Sequence, residues 1–160
     1  YKMEDVVVIG HSFGGRVAIK LSNICARVAG LILVDSAGLK PKRGLTYYYK
    51  IYTYKIAKAL RIKQNNRGSA DYQKMSGAMK KTFINIVNED LSEEAKKIVV
   101  PTLLIWGAKD METPLYMCKK LHKYIIKSKV VVFEGAGHFA YLEQSGRFID
   151  MVREFAIGVV

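Results

Sequence analysis

Disulfides, acidic residues and long apolar runs are all scarce in this 160-residue chain. Its two cysteines, Cys25 and Cys118, cannot build a disulfide framework, so a reducing cytosol is the expected compartment. Neither cysteine lies in a CxxC or Cys/His spacing that suggests zinc. No apolar run reaches the ~18 residues of a membrane span, and no signal-peptide pattern opens the chain. Acids number 14 against 26 Lys and Arg, a formal charge of +12. That excess raises nucleic acid or an anionic membrane as partners but says nothing about fold. Half of the residues are hydrophobic and a quarter charged, a globular composition.

What is present reads as an α/β alternation. Val6 to Ile9 is a β-branched run closed by Gly10, the pattern of a strand covered on both faces. Phe13 to Arg27 has helical spacing, and Leu31 to Val34 is a second buried-type strand. Leu45, Tyr48, Tyr49, Tyr52, Ile56, Ala59 and Leu60 form one helical stripe. Further helices are predicted over 71–88 and 92–98. Thr102 to Trp106 is a third strand, and Val130 to Phe133 a fourth. Between them, Thr113 as N-cap and Pro114 at the first helical position start a helix to about Ile126. Tyr141 to Phe155 is a final helix. The order predicts a parallel sheet with helices on both faces. Residues 39–98 are too long for an ordinary connection and are read as a helical insertion within one domain. The chain opens with Tyr and enters a strand within a few residues, so we expect further chain ahead of it.

Gly10-His11-Ser12-Phe13-Gly14 matches G-x-S-x-G between a predicted strand and a predicted helix. A serine there sits on a strained turn that lifts its oxygen above the sheet, with the Phe13 N–H aimed at a developing oxyanion. Serine is a weak nucleophile and needs a base. Of three histidines, His11 lies inside the turn and His122 sits in a Lys-rich helix. His138 follows Gly135-Ala136-Gly137 at the end of the fourth strand, the sheet edge where catalytic groups gather. Asp110, after the third strand, reaches that edge as the acid, and Asp35, after the second, is its rival. Asp110 is the preferred acid, and the chain order is then Ser, Asp, His. No metal or organic cofactor is required by this set.

These three blocks resemble signature segments of the α/β-hydrolase family, most of all its small lid-bearing esterases and carbon–carbon bond hydrolases. The resemblance implies a Ser-His-Asp hydrolase acting on an ester or related acyl bond. It equally admits carbon–carbon cleavage or acyl transfer on the same triad. It maps the chain onto the family's fifth strand onward and makes the 39–98 insertion its lid. Glu143 fits the family's pattern after the histidine, while Ser145 stands where proline is common. A serine nucleophile argues against the dehalogenase and epoxide hydrolase branches. The second oxyanion N–H would come from a segment ahead of residue 1. Losing one such donor costs about 10²–10³ in turnover, so the chain alone is expected to be poorly active. The Val6–Ile9 strand, unpaired on one side, is expected to promote homo-oligomers.

Lys40 to Arg67 holds nine Lys or Arg, five tyrosines and no acid. A lid helix with tyrosines inward and lysines in water is the expectation, with no nucleic-acid partner. A membrane surface is the alternative, and so is an interaction module without catalysis. Candidate substrate contacts are His11, Tyr48, Tyr52, Met111 and Phe139, and the expected substrate is a small-molecule ester.

Overall fold

A computed structural model describes residues 5–40 and 77–159. Tyr48, Tyr52, the Leu45–Leu60 stripe and the run beyond Lys40 to Arg67 lie outside the described residues. The chain divides into two compact units, with breaks after Leu39 and after Glu89. Within the second unit, α2 spans Gly77–Asn88.

The first unit carries β1 (Val6–His11), α1 (Phe13–Ile24), β2 (Val28–Val34), α3 (Ser92–Lys96) and β3 (Thr102–Gly107). It continues through α4 (Leu115–Tyr124), β4 (Ser128–Phe133), α5 (Ala140–Glu143) and α6 (Ser145–Val159). The strands form one parallel sheet in the order β1-β2-β3-β4. Every crossover steps the same way, so right-handed connections put α1, α3 and α4 on one face. Side chains alternate across the sheet accordingly. Leu31, Leu33, Leu104 and Trp106 join Ile19, Leu91 and Leu121 on that face. Ile32, Val34, Leu103 and Ile105 join Phe133 and Ala140 on the other, where Phe148, Met151 and Phe155 of α6 pack. Each fully buried leucine is worth about 1.5–3 kcal/mol of apolar burial.

Several boundaries differ from the expectation, each for a visible reason. β2 begins at Val28 rather than Leu31, because Gly30 pairs with Val7 and leaves room for Phe155 and Val159. α1 ends at Ile24, where the Cys25 N–H bonds the Leu21 carbonyl and turns the chain extended. Leu91, Ala95 and Ile98 pack with Ile19 and Leu31 in the first unit. Pro114 rather than Thr113 occupies the N-cap of α4, because the Thr113 hydroxyl is engaged elsewhere. The final helix is broken at Gln144, whose side-chain amide donates to the Glu134 carbonyl. β1 is the terminal strand of the sheet, so it is only half-covered and Ile9 is 48% exposed. Among the described residues no helix is long and apolar enough to cross a membrane.

Candidate active site

The turn between β1 and α1 is held in a conformation L-residues avoid. Ser12 has φ 49° and ψ −117°, outside the favoured regions for a non-glycine residue. Its peptide is pinned on both sides. The Ser12 N–H donates to the Val34 carbonyl at 3.1 Å, and its carbonyl accepts from Ala37 at 2.9 Å and Gly15 at 3.1 Å. Gly10 makes the tight return possible: a Cβ there would come within 2.8 Å of the Ala18 Cβ and 2.7 Å of the Gly14 carbonyl oxygen. Phe13 opens α1, so its N–H has no intrahelical acceptor and stays available at the positive end of the helix.

Three strand ends converge on the serine. Ser12 Oγ lies 2.9 Å from His138 Nε2, and His138 Nδ1 lies 3.0 Å from Asp110 Oδ2. The histidine side chain is 9% exposed and the Asp110 side chain is fully buried. Asp110 is saturated with donors. Oδ1 accepts the N–H groups of Glu112 (2.8 Å) and Thr113 (3.1 Å), and Oδ2 faces the Thr113 hydroxyl (2.5 Å) as well as His138. Burial alone would raise its pKa. The hydrogen bonds from His138, Thr113 and Glu112 outweigh that and hold it below the ordinary carboxylate value. An ionised Asp110 accepts from Nδ1–H, which leaves the Nε2 lone pair for the serine proton.

Asp35, the rival acid, makes no hydrogen bond to His138. It sits at positive φ (43°) with no exposed surface. Oδ1 accepts the Gly107 N–H at 2.8 Å, and Oδ2 makes no hydrogen bond among the described residues. Burial, with the Asp110 charge adding to it, lifts its pKa to about 7 despite the Gly107 hydrogen bond. The Asp35 backbone still bears on the site: its carbonyl lies 3.0 Å from the Thr113 hydroxyl that also contacts Asp110.

The histidine loop is fastened from two directions. His11 Nε2–H donates to the His138 carbonyl at 2.8 Å. The Glu143 carboxylate accepts the Gly137 N–H at 3.0 Å. The His11 ring also packs against His138, Phe139 and Tyr141, with centroids 4.9, 5.5 and 4.9 Å away. Phe139 is 49% exposed beside the site and Met111 is 87% exposed. His122 bonds Ser128 away from it. Two contributors leave little trace in the sequence. Thr113 has the pattern of a helix cap. Glu112, whose Oε2 is 3.3 Å from His138 Nε2, gave no signal beyond its place two residues after Asp110. A groove of about 560 Å³ lined by Thr102, Lys129, Met151 and Phe155 lies at the opposite end of the strands and shares no residue with this cluster.

A profile described as the alpha/beta hydrolase family matches residues 2–151. The chain belongs to the alpha/beta hydrolase family. The AB hydrolase superfamily protein YisY of Bacillus subtilis is 26% identical over 97% of this chain and 68% of its own length. The putative esterase/lipase 2 of Mycoplasma genitalium is 27% identical over 96% of this chain and 64% of its own. Among solved structures, a meta-cleavage product hydrolase from Pseudomonas fluorescens superposes with a TM-score of 0.68 at 22% identity. That match covers 96% of this chain and 65% of the other, a likeness of fold. The chain thus spans about two thirds of the length of these hydrolase relatives.

Proposed function

We propose that this hydrolase-family chain carries the serine-hydrolase centre of an esterase. Ser12 attacks the carbonyl carbon of an ester while His138 Nε2 accepts the hydroxyl proton. Asp110 stabilises the imidazolium, and the Phe13 N–H holds part of the oxyanion. The tetrahedral intermediate collapses, the C–O bond to the alcohol breaks, and His138 returns the proton to the leaving oxygen. Water, deprotonated by the same nitrogen, then releases the acid and restores Ser12. His11 steadies the His138 loop. Met111 and Phe139, exposed beside the triad, are the proposed substrate contacts. The reading draws its main support from the unbroken series of hydrogen bonds Ser12–His138–Asp110, at 2.9 and 3.0 Å.

Fluorophosphonate labelling read by intact mass tests it. A single adduct is expected on the chain and none on Ser12→Ala. Equal labelling of both, or labelling of neither, would reject the serine nucleophile.

A further inference from the structure

Nothing in the triad requires the second carboxylate at its mouth. Glu112 Oε2 lies 3.3 Å from His138 Nε2, the nitrogen that also faces Ser12 Oγ at 2.9 Å. The Glu112 backbone N–H is tied to Asp110, so the loop holds this residue beside the histidine. Its side chain is 70% exposed, and among the described residues no lysine or arginine pairs with it.

The chemistry of the step decides what the carboxylate meets. Resting His138 carries its proton on Nδ1, toward Asp110, so Nε2 offers a lone pair and gives Glu112 no hydrogen bond. In the second half of acylation Nε2–H must point at the leaving atom. The leaving group therefore occupies the space next to Nε2, and two contacts on one nitrogen put Glu112 within about 6 Å of the leaving atom. A cationic centre two or three bonds further along falls on the carboxylate. A neutral leaving group leaves that charge opposite nothing.

Resting on the serine-hydrolase reading, we propose that Glu112 selects substrates whose leaving group carries a positive charge, such as a quaternary ammonium alcohol or a protonated amine. An exposed pair at about 4 Å gains roughly fivefold in rate constant over a neutral isostere, an advantage that salt weakens.

The test uses two acetyl thioesters, one with a trimethylammonioethyl thiol leaving group and one with the 3,3-dimethylbutyl isostere. In both, a bond forms from Ser12 Oγ to the carbonyl carbon, the C–S bond breaks, and the serine proton passes through His138 Nε2 to the leaving sulfur. Thiol release by the wild type less that by Ser12→Ala gives kcat/KM for each. Their ratio, cationic over neutral, is expected near fivefold in the wild type. It should fall toward one in Glu112→Gln and below one in Glu112→Lys. A wild-type ratio of one with Ser12-dependent thiol release overturns the assignment and spares the serine-hydrolase reading. A ratio unchanged in both variants does the same. Absence of Ser12-dependent thiol release from both probes removes both.

Discussion

Two aspartates end adjacent strands of one sheet, are equally hidden from water, and differ in almost everything else. Asp110 takes four polar contacts and is held ionised. Among the described residues Asp35 takes one hydrogen bond and keeps an oxygen without any, and its pKa is lifted to about 7. The contrast shows that burial does not decide the charge of a carboxyl. The supply of donors does. Each charge-assisted hydrogen bond is worth about 1.5–3 kcal/mol, enough for a few to reverse the desolvation cost. The peptides of the loop after β3 fold back onto Asp110. The loop after β2 spends its peptides on the serine turn, where the Ala37 N–H goes to Ser12.

The sharpest way to break the comparison is to remove one charge at a time. Asp110→Asn is expected to slow fluorophosphonate labelling about 10³–10⁴-fold, by favouring the wrong histidine tautomer. Asp35→Asn, an isostere of the protonated acid, should stay within about tenfold of wild type. Equal losses would mean that the two acids act as a pair.

Next in size is stability. The folded pKa of Asp35 is raised from 3.8 to about 7, so the folded state binds the extra proton. Stability is full below the unfolded value and is lost as pH rises through about 7. The loss approaches about 4 kcal/mol. Asp35→Asn abolishes that titration. Its melting temperature relative to wild type should climb from pH 4 to 7 and then level off. A difference independent of pH would show Asp35 ionised throughout. Asp110 has the opposite sign: its contribution is present above the ordinary carboxylate value and disappears as pH falls through the lowered one.

The smallest effect joins the two. Thr113→Val deletes the hydroxyl that faces both Asp110 Oδ2 and the Asp35 carbonyl. One lost hydrogen bond to a charge predicts about 10- to 100-fold slower labelling with the pH optimum moved little. No change would mean that the two peptide donors suffice.

The sequence made the sheet, the Ser12 turn and the His138 loop legible because each depends on neighbours along the chain: Gly10 beside Ser12, Gly137 beside His138. The choice between Asp35 and Asp110 was not legible in the same way. It depends on the Thr113 side chain and on which peptides face inward, and spacing does not carry that. Thr113 looked like a helix cap because the cap pattern is local, while its real partners come from two strands. Glu112 was invisible for the converse reason: an exposed acid in a loop resembles any other until His138, 26 positions later, is placed beside it.

Gly38 and Leu91 are joined by a backbone hydrogen bond of 2.8 Å, so the sheet unit closes on itself where the second unit leaves and returns. Topologically, those fifty-odd residues form a cassette whose endpoints are pre-stapled. Loop-closure entropy grows only by about 0.6 kcal/mol per doubling of length. Cassettes of very different size can therefore be spliced at this junction without re-engineering the chassis. Evolution, or a protein engineer, has there a port for exchanging the segment while Ser12, Asp110 and His138 stay on the frame.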